Sequence, residues 1–305
     1  MRVFVTGASG YIGSTVAEAF RRKGHWVAGL VRSEEKKRPL EAREIRTVVG
    51  DMKNPASYLP LATESDVWVH AAAEWAGDFE GLDRATMNTF LDLAKQPGRT
   101  RILIYTSGVW LYGKTGNNLV NESYAMEAPP LLRWRWDHEQ KILQASTKQL
   151  RGIVIRPGCV YGGRGGLTGS WFDSARRKGA AQIIGDGKNR WATIHVEDLA
   201  DLYVRAAESR LSGELFNATD RSRFTVLEMA EAASRSAGAN GRVAFTPAEE
   251  ARKTMGFFAE GLLLDQHVDS SKALQVLGWN PRFGGFAENS SRYFQAWRAH
   301  QADKP

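Results

Sequence analysis

Cysteine is almost absent from this chain, which has one among its 305 residues. That residue, Cys159, cannot form an internal disulfide and cannot by itself build a metal site, so we expect no zinc chemistry and no bound metal. The sequence also lacks any apolar run near the ~20 residues that a membrane-spanning helix requires. It opens on a strand-like segment with no charged leader or cleavage site before it, so we expect a cytoplasmic protein without a membrane partner.

A basic stripe is also missing, although the formal net charge is +7. The basic residues are dispersed, and the densest group, at 36–38, follows two glutamates. Binding to nucleic acid requires cationic groups clustered along one surface. We therefore expect a small-molecule substrate and no nucleic acid. Apolar residues make up 43% of the chain and charged residues 25%, a balance that is typical of a globular protein with a sizeable core.

The sequence does contain a regular alternation of strand and helix patterns. Short β-branched apolar runs predict strands, and apolar residues at helical spacing predict the helices between them. The predicted strands lie at 2–6, 26–31, 47–49, 67–70, 102–105, 153–155 and 215–217, and the main predicted helices at 12–23, 83–96, 133–146, 169–178, 197–208 and 225–237. This order indicates an α/β fold: a Rossmann doubly wound parallel sheet with a smaller C-terminal substrate-binding region.

A glycine-rich turn, Thr6-Gly7-Ala8-Ser9-Gly10-Tyr11-Ile12-Gly13, joins the first predicted strand to the first predicted helix. Its glycines stand where dinucleotide-binding βαβ units need a tight turn, a close backbone approach and tight helix packing. The pyrophosphate is expected at the helix N-terminus, where free N–H groups and the helix dipole favour an anion. A plain structural turn is the alternative. The predicted cofactor-binding residues of this turn are Gly7, Ser9, Gly10, Tyr11, Ile12 and Gly13.

The end of the second predicted strand indicates which dinucleotide is bound. It reads Leu30-Val31-Arg32-Ser33, with no acidic residue to accept from the ribose hydroxyls. Arg32 is placed to pair with a 2′-phosphate, with help from Ser33 or Lys36. The alternative is that Arg32 pairs with a neighbouring glutamate. We therefore predict NADP(H) as the cofactor.

Six glycines between positions 158 and 169 form a flexible connection after the sixth predicted strand. We place the domain boundary there. The predicted division is an NADP-binding Rossmann domain over 1–165, to which a segment near 193–220 returns, and a mainly substrate-binding region over 166–305.

A set of motifs spread along the chain supports a family resemblance. Besides the turn at 6–13, they are Gly50-Asp51-Met52, Val69-His70-Ala71-Ala72-Ala73, Tyr112-Gly113, Arg156-Pro157-Gly158-Cys159-Val160-Tyr161-Gly162, His195-Val196-Glu197-Asp198-Leu199-Ala200, Asp269-Ser270-Ser271-Lys272 and Leu277-Gly278-Trp279-Asn280-Pro281. Together they resemble the extended short-chain dehydrogenase/reductase family, the group of NAD-dependent epimerases and dehydratases. The resemblance covers nearly the whole chain.

The resemblance implies further cofactor contacts. Asp51 and Met52 would flank the adenine, and Ala71, Ala72 and Ala73 would line the path of the dinucleotide. Pro157, Cys159 and Val160 would lie by the nicotinamide. The resemblance also implies a homodimer, in which the helices at 83–96 and 133–146 pair into a four-helix interface.

The chain departs from the family at its catalytic pair, a tyrosine followed four residues later by lysine. Aligning on Tyr112-Gly113 puts Gly108 at the family's serine position, with Ser107 one residue earlier. Aligning on the helix after the fifth strand puts Leu131 or Leu132 at the tyrosine position, and Arg135 or Trp136 at the lysine position. The chain therefore resembles the atypical branch of the family, which keeps the fold and the cofactor turn but loses this pair.

Other residues are candidates for the missing chemistry: Tyr161, Arg135, Ser107 and Tyr112. The two tyrosines follow strands at the carboxyl end of the predicted sheet, where open α/β folds bind ligands. Arg135, within Arg133-Trp134-Arg135-Trp136, could orient an anion or stabilise an oxyanion. The alternative is that this segment packs the helix and pairs with Asp137 or Glu139. Less favoured candidates are a proton shuttle at His195 and a base at Glu74, beside Trp75.

The function predicted from the sequence is an NADP(H)-dependent oxidoreductase that acts on a carbonyl or hydroxyl of a small organic substrate through a non-standard proton donor. The alternatives are an epimerase, dehydratase or isomerase that holds its cofactor tightly, and a non-catalytic dinucleotide-binding sensor. Aromatic residues after position 166 suggest an apolar or cyclic substrate, and core packing is the alternative for them. The candidate pocket walls are Trp171, Phe172, Trp191, Phe257 and Phe258.

Overall fold

The computed structural model describes residues 1–73 and 77–302. Its strands are β1 (Arg2–Thr6), β2 (Trp26–Val31), β3 (Arg46–Val49), β4 (Val67–His70), β5 (Arg101–Thr106), β6 (Leu150–Pro157), β7 (Cys159–Tyr161), β8 (Ala181–Ile184), β9 (Thr193–His195), β10 (Glu214–Ala218) and β11 (Val243–Thr246). Its α-helices are α1 (Tyr11–Arg22), α2 (Arg38–Glu41), α3 (Leu59–Glu64), α4 (Phe79–Ala94), α5 (Arg133–Gln144), α6 (Gly169–Lys178), α7 (Val196–Glu208), α8 (Val226–Ser236), α9 (Ala248–Met255), α10 (Phe257–Leu263), α11 (Ser271–Leu277) and α12 (Ser290–Ala302).

A seven-stranded sheet organises the described residues, in the order β10-β6-β5-β4-β1-β2-β3. Each neighbouring pair from β6 across to β3 runs parallel, and helices connect the strands. The order turns at β1, which pairs with β2 on one side and β4 on the other. This is the doubly wound arrangement of a Rossmann fold, so the predicted fold class is confirmed.

The central strands are mostly apolar because helices cover both faces of a parallel sheet. Val3, Phe4 and Val5 of β1 and all four residues of β4 are buried. Phe4 and Trp68 pack against Phe90 of α4. The Trp68 ring stacks on the Phe90 ring with 5.2 Å between ring centres, and the Phe4 ring contacts the Phe90 ring edge-on with 6.4 Å between centres. Burying each such side chain contributes roughly 1.5–3 kcal/mol, so this cluster fixes α4 against the sheet.

The chain divides into two compact units by its internal contacts. Unit 1 comprises 1–107, 134–156 and 200–216, and unit 2 comprises 108–133, 157–199 and 217–305. Unit 1 therefore contains most of the large sheet with helices α1 to α5 and most of α7. The sequence-based division at residue 165 follows chain order, and the domain roles attached to it stay predictions.

Unit 2 contains two small parallel sheets, β7-β9 and β8-β11, that the sequence did not predict. Aromatic rings fill the core of this unit: Trp171 and Trp191 stack at 5.1 Å, and Phe286 meets Trp171 edge-on at 5.9 Å. Helices α6, α8 and α12 carry this core.

Two predicted boundaries differ from the structure for local reasons. Helix α4 begins at Phe79, four residues before the prediction, because Asp78 caps it by accepting from the backbone N–H of Gly81 at 2.9 Å. Strand β6 runs from Leu150 to Pro157 because it pairs with the full length of β5. Among the described residues, no helix is long and apolar enough to cross a membrane.

A buried ion pair fastens α5 to the sheet inside unit 1. Arg156 of β6 donates through Nε to Oε1 of Glu139 at 2.9 Å, and a second nitrogen bonds the other carboxylate oxygen. Glu139 is fully buried and Arg156 is 3% exposed. A buried charge without its partner is strongly unfavourable, so both residues must be present or absent together.

Arg156→Leu is expected to lower the free energy of unfolding by about 3–5 kcal/mol, because it leaves the Glu139 carboxylate buried without a partner. The double variant Glu139→Leu/Arg156→Leu is the matched control and is expected to recover at least half of that loss. Urea unfolding followed by circular dichroism measures both. A single variant as stable as the parent chain would show that the pair does not fasten α5.

Candidate active site

The glycine-rich turn has the close backbone contact that its sequence predicts. Gly7 adopts a left-handed conformation with φ of 72°, which favours glycine. A Cβ added there would lie 2.7 Å from the carbonyl oxygen of Ala71 and from Cα of Ala72, so only glycine fits against the end of β4. The N–H of Gly10 donates to the carbonyl of Gly7 at 2.8 Å and closes the turn.

Helix α1 starts directly from this turn. Gly10 is its N-cap in extended backbone, no side chain caps the helix, and its first turn has no acidic residue. A Cβ on Gly13 would collide with the carbonyl oxygen of Gly7, so the helix packs against the turn through this glycine. Helix geometry leaves the first N–H groups without intrahelical acceptors. This cradle fits a pyrophosphate; Ser9, Tyr11 and Ile12 are half-buried beside it.

The other predicted cofactor residues of unit 1 follow the ends of three more strands, β2, β3 and β4. Arg32 directly follows β2 and is exposed, while the neighbouring Ser33 hydroxyl donates to Glu35 at 2.8 Å. Asp51, after β3, is exposed and accepts from the N–H of Lys53 at 2.9 Å. Met52 packs on the unit 1 core, Ala71 and Ala72 are half-buried, and Ala73 is exposed. Their cofactor contacts stay predictions.

A buried carboxylate lies beyond the end of β4, and the sequence did not predict its role. Asp83 of α4 is 4% exposed and accepts from the hydroxyl of Tyr105 at 2.8 Å and from Nδ1 of His138 at 2.7 Å. Nε2 of His70 lies 3.2 Å from its other oxygen, at ion-pair distance. Nδ1 of His70 in turn bonds the Thr6 hydroxyl at 2.7 Å. One carboxylate thus links α4, α5, β4 and β5, and a further hydrogen bond reaches the start of the glycine turn.

The electrostatics of this cluster favour an ionised Asp83. Burial alone would raise its pKa, but the two histidines and the nearby Arg135 charge outweigh burial and hold the pKa of Asp83 well below its ordinary value. Burial, opposed by Arg135, raises the pKa of Tyr105, so this phenol stays a hydrogen-bond donor. Asp83 and Tyr105 therefore hold the surrounding elements in place and do not exchange protons near neutral pH.

Arg135 lies between this cluster and the end of β5. One of its terminal nitrogens donates to the carbonyl oxygen of Thr106 at 2.9 Å. Its guanidinium also lies over the rings of Phe79 and Trp134, 5.1 and 4.8 Å from their centres. The alternative pairing with Glu139 is not seen, since Glu139 pairs with Arg156. Arg135 thus presents a fixed cation at the carboxyl end of the sheet.

Ser107 directly follows β5, and its hydroxyl is the group of the predicted site to consider first as a hydrogen-bonding partner for a ligand. Its side chain is 8% exposed, and its hydroxyl has no hydrogen-bond partner among the described residues. Its backbone N–H bonds the carbonyl of Ile155 at 2.8 Å, which fixes the residue at the strand end. A buried hydroxyl without a partner is unfavourable unless a ligand or water satisfies it. Ser107 and Arg135 therefore stand at the same strand end of unit 1.

The two predicted catalytic tyrosines belong to unit 2, and both hydroxyls already donate. Tyr161 donates to the carbonyl oxygen of Gly284 at 2.7 Å, and Tyr112 donates to the side-chain oxygen of Asn217 at 2.8 Å. Both side chains are fully buried. Burial, with Asp220 nearby, raises the pKa of Tyr161 far above its ordinary value. These contacts favour structural roles, and the catalytic roles stay predictions.

The residues predicted beside the nicotinamide also belong to unit 2. Pro157 ends β6, and Cys159 and Val160 lie in β7, with the N–H of Cys159 donating to Ala192 at 2.7 Å. Burial raises the pKa of the Cys159 thiol to about 12, so this cysteine is a packed thiol and not a nucleophile. Glu74 and Trp75 lie outside the described residues.

His195 is enclosed in an aromatic cluster of unit 2. Its ring stacks on Phe283 at 3.7 Å between centres, and its Nδ1 accepts from the backbone N–H of Glu197 at 3.2 Å. Burial, and then the charges of Arg292 and Arg282, lower the pKa of His195 to about 3. The imidazole is therefore neutral at physiological pH, which does not favour the proton shuttle considered from the sequence.

A cavity in unit 2 is lined by three of the five aromatic residues that the sequence offered as pocket walls. Trp171, Trp191 and Phe258 line it, whereas Phe172 lies in the aromatic core. The side chain of Phe257 lies outside the described residues. The sequence shows that aromatic residues are present in this region, but it does not show which of them face a cavity.

Comparisons with known proteins agree with this architecture. The sequence profile of the NAD dependent epimerase/dehydratase family matches residues 3–219, which confirms the resemblance that the motifs indicate. An uncharacterized protein of Schizosaccharomyces pombe is 29% identical over 289 residues, or 92% of this chain and 95% of that protein. A 4-hydroxy-2-methyl-3-oxo-4-farnesyl-3,4-dihydroquinoline-1-oxide ketoreductase of Stigmatella aurantiaca is 27% identical over 72% of this chain and 68% of that protein.

A solved structure shows the likeness of the fold. A dTDP-glucose 4,6-dehydratase from Streptomyces venezuelae, with NAD and TYD bound, superposes with a TM-score of 0.84. The match covers 99% of this chain and 98% of that chain at 21% identity. At that identity the likeness concerns the fold alone.

His195→Phe is expected to make stability less sensitive to acid. The folded-state pKa of about 3 lies below the ordinary value of 6.5, so the unfolded chain binds more protons between these values, and the parent chain loses stability as pH falls through this window. Phenylalanine preserves the stack on Phe283 but cannot be protonated. Between pH 7 and 4 the variant should lose about 3 kcal/mol less than the parent chain.

Urea unfolding at several pH values measures this difference. Between pH 7 and 8.5 the two proteins should differ by a constant amount, which serves as the internal control. Parallel stability curves down to pH 4 would show that His195 does not titrate as a buried neutral imidazole.

Proposed function

Because the chain belongs to the NAD dependent epimerase/dehydratase family, we propose that it is an NADP(H)-dependent oxidoreductase acting on a carbonyl or hydroxyl group of a small organic substrate. The choice of cofactor rests on the residue that directly follows β2. This residue is the exposed Arg32 and not an acidic residue. An acid at this position accepts from the ribose hydroxyls, whereas an arginine there pairs with a 2′-phosphate.

The proposed cofactor site uses the cradle of unit 1. The pyrophosphate would lie on the N-terminus of α1, against Gly7, Gly10 and Gly13, because these glycines allow the tight turn that leads into the helix, whose N-terminus favours an anion. Arg32 would hold the 2′-phosphate, and Asp51 and Met52 would flank the adenine. Ala71, Ala72 and Ala73, with Pro157, Cys159 and Val160, complete the proposed contacts.

The proposed chemistry is carbonyl reduction and its reverse. When bound, the reduced cofactor would supply a hydride for the carbonyl carbon, and the oxygen would take a proton from a water molecule to give an alcohol. We propose that Ser107 hydrogen-bonds to this oxygen, since its buried hydroxyl has no other partner among the described residues. Arg135, held at Thr106, would stabilise the negative charge that develops on the oxygen.

Arginine stays protonated at ordinary pH, so Arg135 can stabilise charge but is a poor source of the proton. Use of Tyr161 or Tyr112 as the proton donor requires its hydroxyl to leave its present acceptor. Ser107 is therefore the first residue to test, ahead of the tyrosines.

The relatives support this reading in part. The relative from Stigmatella aurantiaca is named as a ketoreductase, which supports carbonyl reduction. The family model is that of NAD dependent epimerases and dehydratases, which supports the second candidate: an epimerase or dehydratase that holds its cofactor and returns the hydride. Net oxidation of free NADPH separates the two, since the second candidate leaves the cofactor unchanged after each turnover.

A homodimer and a cytoplasmic location are further parts of the proposal. The dimer would use α4 and α5. Phe90 and Leu93 of α4 belong to the unit 1 core, so the remaining outward side chains, such as Arg84 and Ala85, would carry the interface.

Arg32→Ala is expected to weaken NADPH binding by about 10- to 100-fold, because it removes the proposed partner of the 2′-phosphate. Binding of NADH should change less than about threefold. Fluorescence titration of the nicotinamide measures both affinities, and Arg38→Ala, an exposed arginine on α2, is the matched control. Equal losses for NADPH and NADH, or no loss for either, would contradict this role of Arg32.

Ser107→Ala is expected to lower kcat by about 100-fold while the Kd for NADPH stays within about threefold, because its hydroxyl would act on the reacting oxygen. Ser65→Ala is the matched control, since Ser65 is a buried serine at the opposite end of β4 that bonds the carbonyl of Leu61. The assay follows NADPH absorbance with a ketone that is turned over. Full activity in Ser107→Ala, with loss of activity in Tyr161→Phe, would transfer the role to Tyr161.

A further inference from the structure

The cavity of unit 2 has the volume of a small-molecule site. It encloses about 610 Å³ among α6, β8, α9 and α10. Sites for small organic ligands in proteins measure roughly 300–1,000 Å³. We call its buried side the floor, formed by Trp171, Ile183, Trp191 and Val226, and its exposed edge the rim, formed by Arg177, Lys178, Gln182, Glu250 and Thr254.

The floor is apolar and contains two stacked indole rings. Trp171 and Trp191 stack with an interplanar angle of 18° and are 3% and 6% exposed. The indole N–H of Trp191 already donates to the carbonyl oxygen of Leu262 at 2.9 Å, so it is engaged within the protein. Leu262 and Phe258 close the cavity from α10. Such a surface favours flat rings, which pack on indoles by offset stacking or edge-to-face contact.

The cations of the rim already have partners. Nε of Arg177 lies 2.8 Å from the carboxylate of Asp173, and Nζ of Lys178 donates to the side-chain oxygen of Gln182 at 3.2 Å. Arg190, next to Trp191 in the chain, is held by both carboxylate oxygens of Asp265 at 2.9 Å. Recognition of a diphosphate depends on charge-assisted donors directed at it. Arg177 and Lys178 are the two cations among the described residues that line the cavity, and each has a contact with a neighbouring side chain.

We propose that this cavity binds the substrate through a flat, apolar ring system, and that the substrate class is ring-bearing ketones and their alcohols and not nucleotide sugars. This inference rests on the proposed function for the reaction, but the binding it describes needs no cofactor. The ring system is held by contact with Trp171 and Trp191 on the floor of the cavity.

The probe for this site is 2-acetylnaphthalene, a flat aromatic ketone, titrated into the full-length chain without cofactor by isothermal titration calorimetry. UDP-glucose is titrated in parallel. We expect saturable binding of the ketone, and no competition from UDP-glucose at a tenfold higher concentration. Failure of the ketone to bind, or its displacement by UDP-glucose, would overturn the proposal.

A pair of neighbouring substitutions locates the binding. Thr254→Phe places a ring on the rim from α9 and is expected to weaken binding of the ketone at least tenfold. Lys253→Phe adds the same ring at the adjacent exposed position, which does not line the cavity, and should leave binding within about twofold. Glu250→Phe, from the same rim, serves if Thr254→Phe does not fold. Equal affinity in the rim and control variants would overturn the assignment to this cavity.

The two proposals fail separately. If the ketone binds in the cavity but NADPH is not oxidised with any ketone, the substrate site stands and the proposed reaction is wrong. If NADPH is oxidised with aliphatic ketones while 2-acetylnaphthalene does not bind, the reaction stands and the ring-binding site is wrong.

Discussion

The hydrogen bonds of the buried Asp83 carboxylate hold together the candidate active site of unit 1. It accepts hydrogen bonds from Tyr105 and His138 and lies at ion-pair distance from His70. The groups around it come from β4, β5 and α5, so one charge fixes the helix that carries Arg135 relative to the strand that ends just before Ser107. Because the charge is buried, removal of any partner leaves it unsatisfied, and the geometry is held as a unit.

The chemistry proposed for unit 1 follows from how parallel sheets are built. All neighbouring strands from β3 to β6 point the same way, so their carboxyl ends bring together residues far apart in the chain: the glycine turn after β1, Arg32 after β2 and Ser107 after β5. The sequence predicts that this chain lacks the catalytic pair of the family. A hydroxyl and a cation at one strand end are a physically reasonable replacement, because carbonyl reduction needs stabilisation of the oxygen as well as a hydride.

The sequence predicted the parts of the fold whose signals are local. The strands at 26–31 and 67–70 have the predicted bounds, since each is a continuous apolar run in a sheet covered on both faces. The Asp83 cluster could not be predicted, because His70, Asp83 and His138 are separated in sequence and meet only through the strand order. The aromatic floor of unit 2 was visible as composition, but Phe172 and Trp171 are adjacent in sequence and only Trp171 faces the cavity.

The central claim is that this chain binds NADP(H) and uses it to reduce a carbonyl group. The most direct measurement is a titration of the purified chain with NADPH and NADH, followed by absorbance at 340 nm after addition of ketones, aldehydes or nucleotide sugars. We expect NADPH to bind more tightly than NADH, and we expect the absorbance at 340 nm to fall when a ketone is added. Tighter binding of NADH, or binding without net oxidation of NADPH by any carbonyl compound, would contradict this claim.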